Sequence, residues 1–357
     1  MKNIILIILT FLSANCLTLE YENVCPYSRN PVSVGATVKD IDLIETYKTI
    51  AIVNLNSELL PKIEENIKIQ IEENLVSAYE LNLRNIGFKV AERRSLENVF
   101  EEQALSLTGF LSDIDAVKVG EILAVKAIAI IDVYICGYEN ENQLYRQSIK
   151  IIDVETGEIV ANGEAINVVG GTTYLINLIY EQNLLNRIIR NNILGTEFLK
   201  SSDPDSALKC YEQMQNDLML INELEKNNVL DNEIKKVSTI FHALVYNNLG
   251  ALYKEKGNWL EAISSLNKSL NFLNEHKIDN PPLLSRVYFH LCDVYVRNAN
   301  YKKAIEYGKL GQKICIKNQI TQQECEIIQI LKESYFNLNK TKKMNKLIKR
   351  EKEIFCN

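Results

Sequence analysis

A spacing repeated through the C-terminal half constrains this chain more than any other feature. Tyr246, Leu249, Gly250 and Tyr253 are followed, nine residues after Tyr253, by Ala262 and then Leu266. Leu249, Gly250 and Tyr253 fall on one face of a helix, and Ala262 and Leu266 on one face of the next. Small residues set opposite large ones let two antiparallel helices close on each other. An upstream copy reads Leu194, Gly195, Phe198, Ala207 and Tyr211. A downstream copy reads Leu291, Cys292, Tyr295 and Ala304, with Cys292 in the small position. A degraded fourth reads Leu331, Lys332, Tyr335 and Met344.

These residues resemble the tetratricopeptide repeat. The copies start 55, 42 and 40 residues apart, more than the usual interval of about 34. Extended helices or inserts are therefore expected, notably around 214–242. The resemblance implies an all-α array of helical hairpins over residues 195–357. Such arrays bind an extended peptide or a partner helix on a concave side lined by the first helix of each pair. Asn247, Lys254, Arg286, Phe289 and Asp293 are the residues expected on that side. The fourth copy fits a polar-faced terminal cap, and the seven basic residues from Lys340 to Lys352 read as solvated.

The middle of the chain follows a different rhythm. Thr49–Leu55 is short, β-branched and apolar, as a buried strand should be. From Pro61 a helical pattern runs to about Asn85, with Ile63, Ile67, Ile71, Leu75 and Tyr79 four residues apart, and Gly87 is a plausible stop. A short strand at 88–90 follows. Ser95 then caps a helix through Leu96, Val99 and Phe100, and Ser112 with Asp115 opens another. Strands at 125–136, 144–154 and 159–169 complete a β-α-β-α-α-β-β-β order, with a polar turn over 137–143. The expected fold is α+β, helices on a mixed sheet that ends in an antiparallel meander.

Glu92-Arg93, Leu96, Glu102-Gln103, Leu105 and Gly109 are followed by Ala116, Val119-Gly120, Leu123, Val125 and Ala127-Ile128. Then comes Ile152-Asp153-Val154-Glu155-Thr156-Gly157-Glu158-Ile159-Val160. In this order and spacing, over residues 46–165, the chain resembles the curli-assembly CsgG family, with its FlgO-like and penicillin-binding-protein-activator relatives. Channel-forming members carry long amphipathic hairpins that build a shared barrel, whose strands need about 9–11 alternating residues each. The segment 137–143 is too short and too polar for that. The resemblance thus implies an accessory member, with homo-oligomerisation through this domain open.

The N-terminus reads as an address. Lys2 precedes an apolar run from Ile4 to Leu12, the length of a signal-peptide core and too short to span a bilayer. Ser13-Ala14-Asn15-Cys16 is similar to a lipobox, which makes Cys16 a candidate lipidation site, although Ser13 and Asn15 depart from the usual residues. The layout expected is a signal peptide at 1–16, a linker at 17–45, a CsgG-like domain at 46–170, a linker helix at 171–194 and repeats from 195 to 357.

Chemistry is sparse. The chain has three His, and its eight Cys form no CxxC pair and no Cys/His ligand spacing, so no metal, cofactor or catalytic residue is nominated. Cys136 and Cys292 read as small buried hydrophobes, and disulfide pairing is left open. Gly170-Gly171-Thr172-Thr173 lacks a Gly-Lys-[Ser/Thr] ending and reads as a turn rather than a phosphate loop. Residues 3–194 carry a net charge of −11 and residues 195–357 a net of +4, against −6 for the whole chain. That contrast suggests two domains with different tasks, and the overall balance offers no nucleic-acid footprint. The sequence therefore points to an exported, non-catalytic adaptor in the periplasmic space. It would bind protein partners through its repeats and touch membrane only through a lipid anchor, for which the outer membrane is the candidate location. Alternatives are an activator of a peptidoglycan synthase and a subunit of a curli-type outer-membrane secretion complex.

Overall fold

The computed structural model describes residues 35–40, 42–56, 65–91, 113–139, 142–166, 171–226 and 232–356. An N-terminal mixed sheet is followed by a C-terminal helical domain. The sheet contains β1 (Gly35–Val38), β2 (Thr49–Asn56), β3 (Lys89–Val90), β4 (Ala127–Glu139), β5 (Asn142–Asp153) and β6 (Ile159–Ile166). Their spatial order is β1-β6-β5-β4-β2-β3. β2 runs parallel to β3 and β4, and the other pairs are antiparallel.

The apolar runs of β2 and β4 are continuous because both faces of the sheet are covered. Ile50, Ile52, Ala127, Ala129, Ile131 and Val133 face one core. There they meet Tyr79 and Leu83 of α2 (Glu65–Asn85) and Ile176 and Ile179 of α4 (Gly171–Lys200). Ala51, Ile128 and Ile130 face the opposite core, with Val119 of α3 (Asp113–Ile122). A Cβ on Gly120 would lie 2.5 Å from Val154 Cγ2 and 2.9 Å from Ile128 Cγ2. Only a residue without a side chain lets α3 approach the sheet this closely.

The Asp153–Glu158 turn has a clear cause. Asp153 Oδ1 accepts bonds from the Glu155 and Thr156 amides at 2.7 and 2.9 Å. Its Oδ2 accepts the Tyr47 hydroxyl at 2.8 Å, tying the turn to the segment after α1 (Leu43–Thr46).

Three boundaries differ from the sequence expectation. Part of the expected linker 17–45 is ordered structure: β1 pairs with β6 from Gly35↔Glu164 to Val38↔Ala161, and α1 follows. Four residues whose partner is about 125 positions away leave no local signal. The expected turn 137–143 is mostly strand, because a bulge between Ile135 and Gly137 lets β4 and β5 keep pairing to Glu139↔Asn142. Of the expected turn at 170–173, residues 171–173 are instead the start of α4, where the expected linker helix 171–194 also begins, and residue 170 lies outside the described residues. The expected helix at 92–103 lies outside the described residues.

α4 is one helix where a linker helix and the first repeat helix were expected. Its N-terminal half packs on the sheet, and Leu184, Leu185 and Ile188 join the next core. The helical domain continues with α5 (Pro204–Lys226), α6 (Asn232–Glu255), α7 (Trp259–Glu275), α8 (Pro281–Arg297), α9 (Tyr301–Asn318), α10 (Thr321–Asn337) and α11 (Thr341–Glu353). They form four hairpins: α4/α5, α6/α7, α8/α9 and α10/α11. Long helices α5 and α6 account for much of the first interval. The small positions are filled as the spacing requires. A Cβ on Gly195 would meet the Tyr211 ring at 2.6 Å, and one on Gly250 would meet Leu266 Cγ at 2.5 Å. Cys292 is buried with its thiol on Ala304 O at 3.1 Å. Among the described residues no helix is long and apolar enough to cross a membrane.

Candidate functional site

The first helices of successive hairpins, α4, α6, α8 and α10, pack on one another and so form one continuous face. Polar side chains bridge them. Asn248 Nδ2 on α6 donates to Asn192 Oδ1 on α4 at 2.7 Å, and Asn247 Nδ2 donates to Asn248 Oδ1 at 3.1 Å. Lys254 Nζ on α6 donates to Asp293 Oδ2 on α8 at 2.8 Å, and Arg297 Nε reaches Asp293 Oδ1 at 3.0 Å. The Lys254 ammonium also lies 5.9 Å from the centre of the Phe289 ring. Burial lowers the Arg286 guanidinium, while Glu326 of α10 pulls it back up.

The structure therefore gathers Lys254, Phe289 and Asp293 into one cluster. Arg286 and Phe289 are three residues apart on α8, on one side of the helix. These expected residues differ in access. Arg286, Phe289 and Asp293 are half-buried. Asn247 is buried at 1 % exposure and Lys254 at 8 %; Lys254 turns toward Asp293 on the neighbouring first helix, whereas Asn247 bonds Asn248 on its own helix. They shape the face from within, where a surface position was expected.

His290 sits behind the cluster, with no hydrogen-bond partner for Nδ1. Burial, and the nearby Lys254 and Arg286, hold it well below 6.5 and hence neutral. His242 is stacked on Phe272, its ring 4.9 Å away, and burial with His276 nearby lowers it to about 4. Burial pushes the Cys292 thiol up to about 12 and Cys315 to about 11, so both stay protonated. The arrangement offers hydrogen bonds, a ring and paired charges to a peptide-like ligand. No group of three or more His, Cys, Asp or Glu that could hold a metal occurs among the described residues.

A second polar stripe runs along α4. Arg187 pairs with Asp217 of α5 at 2.8 Å, and burial raises Asp217 although Arg187 pulls it down. Arg190 pairs with Asp42, and Asn186 donates to Val38 O at 3.0 Å. These bonds clasp the N-terminal strand to the helix.

At the other end, a disulfide joins Cys325 on α10 to Cys356 just past α11, across a sequence separation of 31. The sequence left this pairing open. The candidate lipidation site Cys16 lies outside the described residues, as does the Cys136 side chain.

Two layers of helix on a mixed sheet, followed by stacked helical hairpins, define the architecture. Neither a family model nor a curated protein matches the chain. Among solved structures it is similar to the LpoB C-terminal domain from Salmonella enterica, at 15 % identity and a TM-score of 0.26, over 35 % of this chain and 88 % of that one. It is also similar to a PelC dodecamer from Paraburkholderia phytofirmans, at 12 % identity and a TM-score of 0.26, over 42 % of this chain and 93 % of that one. The LpoB C-terminal domain from Escherichia coli matches at 15 % identity and a TM-score of 0.25, over 35 % of this chain and 85 % of that one.

Proposed function

We propose that this chain is a non-catalytic, exported adaptor of the cell envelope, whose tetratricopeptide-like array holds a protein partner on the face made by α6, α8 and α10. The CsgG-like domain supplies the second attachment. The observation that carries the reading is the set of small-to-large contacts, Gly195 on Tyr211 and Gly250 on Leu266, recurring at the repeat spacing. They close each first helix onto its second, and the first helices in turn pack on one another to make a continuous polar and aromatic face. The disulfide supports export, since such bonds persist in oxidising compartments.

The test is site-specific crosslinking in the native envelope. A photoreactive residue at Phe289 or Arg286 is expected to capture a discrete partner, and the same residue at Ser264 on the exposed side of α7 is not. Equal labelling from both faces, or none from either, refutes the assignment. A ring-sized native mass with no second protein would instead favour a secretion-complex subunit.

A further inference from the structure

Beyond that reading, and independently of it, we propose that the exposed side of α9 and α11 is a membrane-contact surface that seats on anionic lipid headgroups. Residues 301–356 carry thirteen Lys/Arg against six Asp/Glu, in a chain that is acidic overall. The six acids divide: Glu306 on α9 and Glu353 on α11 are exposed among the lysines, Glu353 lying 3.8 Å from Arg350, and the other four lie at the α10–α11 contact or on α10. Glu324 accepts Arg350 at 2.8 Å and Glu351 accepts Lys332 at 2.8 Å, so these acids are spent between α10 and α11. Glu326 and Glu333 also lie on α10. The lysines lie outward.

On α11, Lys342, Lys346, Lys349 and Lys352 recur at spacings of four, three and three and are all exposed. They form one ridge opposite Met344 and Leu347, which pack on the preceding hairpin. On α9, Lys302, Lys309 and Lys313 form an exposed row that also contains Glu306. None of these seven makes an ion pair or hydrogen bond among the described residues. Both helices also open with a Lys pair, Lys302-Lys303 and Lys342-Lys343, and no acid in the first turn. That placement runs against the helix dipole, so helix stability does not explain it.

Apolar side chains interleave the charge. Leu310 and Ile316 on α9 are 42 % and 49 % exposed, and Phe355 beyond α11 is 87 % exposed. Cys356 fixes the end of this segment to α10, so Phe355 is presented from a stapled turn. Mobile point charges with scattered apolar side chains suit a fluid headgroup layer, which needs no fixed geometry. A protein interface would call for Arg and aromatic anchors seated in a pocket; the two rows carry Lys in place of Arg, and Phe355 stands out at 87 % exposure rather than seated. A headgroup phosphate is therefore the ligand chemistry.

The experiment is flotation of the full chain with vesicles of phosphatidylcholine alone or with about one third phosphatidylglycerol, at low and high salt. Any contribution of the apolar N-terminal run is common to all arms, so the anionic, salt-sensitive increment reads the lysine face. Binding is expected only with phosphatidylglycerol, and to be lost at high salt. Each lysine removed should lower the partition coefficient roughly fivefold, so Lys313→Gln with Lys346→Gln and Lys349→Gln should lower it about 100-fold. Lys209→Gln, on α5, should change it little. Circular dichroism establishes that the variants are folded, and the salt arm needs no variant. Equal flotation with neutral vesicles, or anionic binding untouched by the triple substitution, overturns the proposal. So does binding to a soluble acidic protein without flotation, which would assign the face to a protein partner.

Discussion

Gly250→Ala puts the hairpin packing to a sharp test, because two effects of opposite sign compete. Replacing a mid-helix glycine by alanine ordinarily stabilises by about 0.5–1 kcal/mol. Here the new methyl would sit 2.5 Å from Leu266 Cγ, 2.7 Å from its Cδ2 and 3.3 Å from the Ala262 carbonyl oxygen. Favourable contact begins near about 3.5 Å, so α6 and α7 must part by roughly 1 Å or Leu266 must leave its rotamer. Leu266 is fully buried and the carbonyl is backbone, so neither yields cheaply. Overpacking of this kind costs about 1–3 kcal/mol. The clash wins, for a net loss of about 1–2 kcal/mol, or a fall in Tm of about 3–6 °C for a helical domain of this size. Thermal and guanidinium unfolding followed by circular dichroism would measure it. Leu266→Ala alone should cost about 2–5 kcal/mol, yet with Gly250→Ala the penalties should fall short of additive by about 1 kcal/mol or more. A Gly250→Ala protein more stable than the parent would refute the close approach and the repeat reading built on it.

Three further outcomes are expected. His242 and His290 are neutral in the folded state with pKa values below the unfolded value of about 6.5, and both take up protons on unfolding. The stability is complete above about pH 6.5 and is lost as pH falls from there through about 4 for His242. Denaturation midpoints across this range should drop with pH, and His242→Gln should flatten the slope; an unchanged slope contradicts the assignment. Reduction of Cys325–Cys356 frees a loop of separation 31 and should weaken the last hairpin by about 3.7 kcal/mol on the chain-entropy relation. Hydrogen exchange in α11 should accelerate, and equal protection with and without reductant would show that the ion pairs to α10 suffice. Arg187→Ala strands the fully buried Asp217 carboxylate and should cost about 3–5 kcal/mol. Arg187→Ala with Asp217→Leu should recover most of that loss in the same denaturation assay, and no recovery would mean the cost lies in packing.

Much of the architecture was legible because its signals are local. The apolar run of β2, the four-residue stripe of α2 and the Leu-Gly-x-x-Tyr spacing each betray a periodicity within one element. What escaped notice depends on distant partners. β1 exists because Glu164–Ala161 offers an edge to Gly35–Val38. β4 continues past Gly137 because β5 lies beside it and a bulge absorbs the misfit. At the candidate site the same division holds. Helical spacing placed Arg286, Phe289 and Asp293 on one side of α8, but it could not disclose that Lys254, 39 residues earlier, closes onto Asp293. Nor could it choose Cys325 and Cys356 from eight cysteines.

The helix shared between sheet and array has a mechanical corollary. α4 has 30 residues, about 45 Å of rod at 1.5 Å per residue, and no glycine or proline interrupts it before Gly195. Ile176 and Ile179 are rooted in one core and Leu184 to Ile188 in the other. Tyr180, packed against both cores, sits where a swivel would otherwise fall. A load borne by the array is thus delivered to the sheet as bending of a stiff beam rather than dissipated in a slack tether. Tension between two anchorages would first strain the clasp that Asn186 and Arg190 make on the strand at residues 35–38 and on Asp42.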